Sequence, residues 1–150
     1  MTQYARNIPV DAGRHITWGV TFSSKFSKEL GSDWRKNFLA ILDELKPSRM
    51  RIEAYWDEID RTKGVFDFGD LDWQMDQMAE RGTRAVLAIG MRVPRWPECH
   101  IPDWARGLAT KDREDALAAY LEVAIMRYRS NLTLAVWQLE NEPFLSFGEC

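Results

Sequence analysis

Near the end of the 150-residue chain three polar residues recur at alternate positions, Gln138, Glu140 and Glu142, and an earlier pair, Arg51 and Glu53, repeats the pattern. Alternate residues of an extended segment share one face. Each set therefore gathers charged or amide groups on one side of a strand. Carboxyl groups collected this way, with an arginine and an amide in reach, are the residue types that move protons and bind polar ligands when water can enter. The tripeptide Asn141-Glu142-Pro143 is the sharpest single signal. A proline disfavours helical backbone at the residue before it. Glu142 is accordingly expected in an extended conformation, its carboxyl held at a strand tip. Asn141 falls on the opposite face by alternation, so a local bulge or twist is needed to bring it to the same rim.

The elements that must position these residues follow from periodicity. Residues 16–22 (ITWGVTF) are rich in β-branched and aromatic types and read as a first strand. From Ser32, a plausible N-cap, Trp34, Phe38, Ile41, Leu42 and Leu45 form one helical stripe, which Pro47 ends. Residues 49–55 (RMRIEAY) alternate and read as the second strand. Asp70 can cap a second helix with Leu71, Met75, Met78 and Ala79 on its inner face and Gly82 at its C-terminal turn. Residues 85–89 (AVLAI) are wholly apolar, as a strand covered on both faces should be. Leu117, Tyr120, Leu121, Ala124 and Tyr128 mark a third helix, and residues 134–139 (LAVWQL) a fourth strand.

Alternating strands and helices imply an α/β fold with parallel pairing through right-handed crossovers. The turn after the first strand, Phe22-Ser23-Ser24-Lys25, lacks the glycines of a dinucleotide-binding loop, which favours a barrel over a doubly wound sheet. A (β/α)8 TIM barrel takes about 250 residues. Four strands make an incomplete one, the first four βα units, so the chain is expected to be a fragment or to be completed by a partner. In a barrel, second and fourth strands share interior layers, so Arg51 or Glu53 should reach Gln138 or Glu140 in a charge-compensated network. A network that only fills the barrel is the bland alternative. Polar groups facing inward are costly except near the C-terminal mouth, where enzymes of this fold carry their sites.

Composition is that of an ordinary globular protein. Twenty Lys+Arg against 23 Asp+Glu offer no basic stripe, which argues against nucleic acid as a partner. No apolar run is long enough to span a bilayer, and the opening residues lack a secretory apolar segment, so no membrane association and a cytoplasmic location are expected. Cys99 and Cys150 are expected as free thiols, since two cysteines make no framework and a cytoplasmic setting keeps them reduced. His15 and His100 lack neighbouring ligands. They are expected at the surface or in loops, and no metal or cofactor is implied.

The second-strand RIEAYW, the following GVFDFGDLDW, the PRWPE of the third loop and the terminal WQLENEP together resemble the N-terminal half of clan A glycoside hydrolases. Families 42, 5 and 39 share such patterns, and the resemblance covers most of residues 16–145. It implies that the whole chain, residues 1–150, is part of a glycoside hydrolase catalytic domain acting on β-linked sugars with retention. It assigns Glu142 as general acid/base, Asn141 to a sugar hydroxyl, and Arg51 to the support of a nucleophilic carboxylate. The physical requirements agree: a general acid must stay protonated near neutrality, through burial and a neighbouring carboxylate, and a retaining partner stands about 5–5.5 Å away.

In the family that partner lies at the end of strand seven, beyond these four strands. Glu140 is nearby, but it points beside Glu142 and not across a sugar. Trp56, Trp96 and Trp104 fall in loops at the expected mouth, where indole rings either stack on sugar faces or pack a loop. Trp18, Trp34, Trp73 and Trp137 read as core. Arg92 and Arg95 flank the mouth and either bind substrate or stand in solvent. The rival reading is an inactive half-barrel that binds carbohydrate or, through open strand edges, another chain.

Overall fold

Three helical crossovers carry the chain back to start each new strand beside the last. The strands β1 (Gly19–Thr21), β2 (Arg49–Tyr55), β3 (Arg84–Gly90) and β4 (Leu134–Leu139) consequently pair in parallel in the order β1-β2-β3-β4. The computed structural model describes residues 17–95 and 99–144. Between the strands lie α1 (Ser24–Glu29), α2 (Trp34–Ala40) continuing into a π-helical turn (Ile41–Leu45), α3 (Trp56–Ile59), α4 (Gly69–Glu80), α5 (Asp103–Arg106) and α6 (Thr110–Tyr128). This is the opening of a (β/α)8 barrel through its fourth strand.

The two faces of the sheet are chemically distinct, as the alternation in β2 requires. Met50, Ile52 and Ala54 turn outward into one apolar core with Phe38 and Leu42 of the first crossover, Met75 and Met78 of α4, and Tyr120, Ala124 and Tyr128 of α6. The burial of such side chains, at roughly 1.5–3 kcal/mol each, is what holds helices to sheet. The opposite face carries Arg51, Glu53 and Tyr55, with Tyr55, Ala88 and Val93 in a small separate cluster. Register places Glu53 beside Ala88 and Ala88 beside Gln138, so these three form one layer of the inner face.

Several local expectations are corrected. Asp33, not Ser32, caps α2: its Oδ1 accepts from the amides of Arg35 and Lys36, both at 3.2 Å. Asp70 does not cap α4, which opens at Gly69 on a hydrogen bond to Asp67 Oδ1. Asp70 sits in the first turn and pairs with Lys28 and Arg35. Gly82, at φ +69°, takes the left-handed conformation expected of it. A short helix, α1, precedes the expected first one, capped by Ser23 Oγ accepting from the Phe26 amide. Trp34 is buried and Trp73 and Trp137 pack against the core, whereas Trp18 stands half exposed at the start of β1. Cys99 is not a free thiol but is disulfide-bonded, against the expectation of two reduced cysteines. Cys150, His15 and Trp96 lie outside the described residues. No described helix is long and apolar enough to cross a membrane.

Candidate active site at the strand tips

The C-terminal end of β1, the loop after β3 and the turn after β4 open, together with Arg51 from within β2, on one groove of about 740 Å³. Arg51, Asn141 and Glu142 line it, with Thr21, Arg95 and Phe26. Arg51 belongs to the inner face of β2, and its side chain bridges the sheet: Nε donates to Thr21 Oγ1 at 3.1 Å and Nη1 to Gln138 Oε1 at 3.3 Å. The second and fourth strands are thus joined as expected. The arginine's contact is with the amide, not with a carboxylate, among the described residues.

The tip of β4 departs from the expected geometry. Glu142 is not extended. Its φ is +50°, and that of Glu140 is +58°. Two left-handed non-glycine residues so close together break the alternation, which is how both Asn141 and Glu142 reach the groove. Each such residue costs roughly 1 kcal/mol or more, and local bonds must offset it. Glu140 donates its amide to Ile89 O at 2.9 Å and Asn141 its amide to Arg92 O at 2.7 Å. Gln138 Nε2 donates to Glu140 O and to Asn141 Oδ1, both at 3.2 Å, and Arg92 Nη1 donates to Glu142 O at 3.2 Å. The Glu140 carboxylate turns away from the groove. It accepts from the amides of Met91 at 2.9 Å and Arg92 at 2.6 Å, directly over Gly90. Burial raises its proton affinity, against the pull of those two amides.

Glu142 is exposed, so the aromatic enclosure that a general acid needs is not built around it by the described residues. A buried carboxyl, Glu53, lies one layer below. Its Oε2 accepts from Tyr55 Oη at 3.4 Å, while Oε1 has no partner. Burial pushes its pKa up to about 8, with Arg51 opposing. Tyr55 Oη also meets Ser23 Oγ at 2.7 Å, tying β2 to the cap of α1.

The tryptophans divide differently from expectation. Trp56 does not face the groove. It is fully buried, stacked on Tyr120 and edge-on to Trp104, with Nε1 donating to Asp60 at 3.3 Å, and it has no face left for a sugar. Trp104 is half-buried, its Nε1 donating to Asp60 O at 2.7 Å, and it lies outside the groove lining. Arg95 lines the groove with its guanidinium over the Phe26 ring. Sequence reasoning passed over a cluster beside it. His100, expected at the surface or in a loop, is buried in its loop, its Nδ1 3.0 Å from Lys25 Nζ, and Lys25 is paired with Asp57. Burial first, and the Lys25 charge second, lower the His100 pKa to about 4. Among the described residues no group of three or more His, Cys, Asp or Glu is arranged to hold a metal.

No protein-family model and no curated protein matches the sequence. Solved structures do. An exo-β-1,4-mannosidase from Opitutaceae bacterium strain TAV5 superposes with a TM-score of 0.67 at 17% identity, covering 86% of this chain and 26% of that one. A GH5_18 protein from Streptomyces cattleya gives 0.65 at 14% identity over 87% and 36% of the two chains. A GH42 β-galactosidase from G. stearothermophilus gives 0.61 at 15% identity over 91% and 23%. The chain thus spans between about a fifth and two fifths of the length of the structures it resembles. These likenesses establish the fold as the first four strands of a (β/α)8 barrel like those of the glycosidases named.

Proposed function

We propose that residues 1–150 are part of a glycoside hydrolase catalytic domain and carry the acid/base side of a retaining β-glycosidase site. The observation that carries this reading is the convergence of Arg51, Asn141 and Glu142 on one groove. Glu142 donates a proton to the leaving glycosidic oxygen and later takes one from the attacking water. Asn141 binds a sugar hydroxyl next to the reacting carbon. Arg51 stands where it can hold the nucleophilic carboxylate, which in this reading comes from later strands of the barrel. The preference for β-linked substrates rests on the described activities of the structural neighbours, a β-galactosidase and an exo-β-1,4-mannosidase.

Hydrolysis of aryl β-glycosides by the barrel completed with its later strands, as wild type and Glu142→Gln, tests the reading. The substitution is expected to abolish turnover, since Gln cannot exchange the proton. Turnover that survives it discards the acid/base role.

A second reading is favoured by one feature. Glu142 is the one carboxylate lining the groove among the described residues, and a double displacement needs two. In that reading the four-strand unit binds carbohydrate without turnover. Calorimetric binding of a β-glycoside, weakened by Asn141→Ala, with no product formed, supports it.

A further inference from the structure

Glu140, just past the end of β4, has no part in the proposed chemistry, yet its carboxylate is closely held. Its carboxylate accepts two consecutive backbone amides, Met91 at 2.9 Å and Arg92 at 2.6 Å, where β3 gives way to its loop. A carboxylate with two oxygens accepts from both amides at once. The seat is shaped for it. Gly90 lies beneath at φ +139°, and any side chain there would collide with the carboxylate. The same residue donates its own amide back to Ile89 O and takes the left-handed conformation that turns the chain toward the groove. The next two residues are Asn141 and Glu142.

We infer that Glu140 is a positioning residue: its carboxylate, seated on Gly90 and bonded to the Met91 and Arg92 amides, locks the tip of β4 to the β3 loop and so sets where Asn141 and Glu142 stand. This deepens the proposed function and rests on it for its catalytic meaning, though the geometry stands apart from any reaction. The chain of bonds is continuous. Glu140 fixes the Arg92 amide, Arg92 O takes the Asn141 amide at 2.7 Å, and Arg92 Nη1 holds Glu142 O at 3.2 Å. Gln138 ties the inner side of the same turn through Glu140 O and Asn141 Oδ1. Without the carboxylate, two left-handed residues have less to hold them, and the turn is free to relax toward strand geometry, carrying Asn141 to the far side.

The test uses the full chain, labelled for NMR, as wild type, Glu140→Gln and Gly90→Ala. Glutamine keeps the shape but puts an NH2 against one of the two amides. Alanine at position 90 displaces the carboxylate from below. Amide exchange at Met91 and Arg92 reads the seat. The Glu142 carboxyl carbon and Asn141 side-chain amide signals read the positioning, and a residue that only stabilises the β3 loop leaves these unmoved. Amides of residues 50–54 report the integrity of the sheet.

Both variants are expected to speed exchange at Met91 and Arg92 about tenfold, the loss of roughly one net hydrogen bond. Both should also displace the Asn141 and Glu142 signals while residues 50–54 stay as in the wild type. Faster exchange with those signals in their wild-type places overturns the inference, as does unchanged exchange. Where one variant does not fold, the other, with Glu140→Asp as a carboxylate one methylene too short, gives the same two outcomes. Failure of the functional reading looks different: Glu142→Gln then leaves turnover and sugar binding untouched while the signals still move in the Glu140 and Gly90 variants.

Discussion

Replacing Glu53 by glutamine should make the protein more stable at alkaline pH and remove much of the pH dependence of its stability. The carboxyl is buried on the inner face of β2, with Oε2 3.4 Å from Tyr55 Oη and Oε1 unpartnered among the described residues. Burial raises its pKa from 4.5 to about 8. The sign follows from linkage. Between those values the unfolded chain has released the proton and the folded chain keeps it, so the unfolded state binds fewer protons and stability falls as pH rises. Each pKa unit is worth about 1.4 kcal/mol, so about 5 kcal/mol is at stake between pH 4.5 and 8. Urea denaturation at pH 5, 6.5 and 8 measures it. The wild type should lose stability across the series, and Glu53→Gln, neutral throughout, should lose several kcal/mol less. Parallel stability profiles for the two proteins would refute the reasoning, because they would mean that Glu53 is ionised in the fold and compensated by Arg51 and Arg95.

His100 gives the opposite slope at lower pH. Its pKa falls from 6.5 to about 4 in the fold, so acid protonates the unfolded chain first, and stability should drop by about 3 kcal/mol as pH falls through that window; His100→Gln should flatten the drop, and an unchanged acid limb refutes the assignment. Tyr120→Phe removes a buried hydrogen bond to Ala54 O at 2.6 Å that ties α6 to β2. A loss of about 0.5–1.5 kcal/mol in urea unfolding is expected, and a change within about 0.3 kcal/mol would show that the bond contributes nothing net.

Much of the frame was legible because it depends on local pattern. The second and fourth strands match their expected bounds, residues 49–55 and 134–139, since alternation in RMRIEAY and the compact apolar run LAVWQL have no competing helical period. The joining of Arg51 to the fourth strand followed from layer geometry alone. What escaped depends on three dimensions or on unusual backbone. Helix α1 spans six residues with no apolar stripe, and only Ser23 hints at it. The left-handed turns at Glu140 and Glu142 carry no glycine to announce them, and Pro143 argued for the contrary. Trp56 looked free to meet a sugar because it directly follows a strand. Its burial is set by Tyr120, distant in sequence and brought over it by α6. The low-lying carboxyl of Glu53 was noticed as part of a polar face, but its want of a second partner depends on which atoms actually approach it.

The left-handed backbone at Glu142 also bears on how this protein would respond to laboratory evolution. A glycine at that position relieves the conformational cost of a side chain at φ +50°, and asparagine relieves part of it. Selection for heat resistance alone, blind to chemistry, should therefore enrich glycine or asparagine at position 142. Under the proposed function, selection for turnover should restore glutamate at the expense of thermal tolerance, so that the two pressures pull one codon in opposite directions.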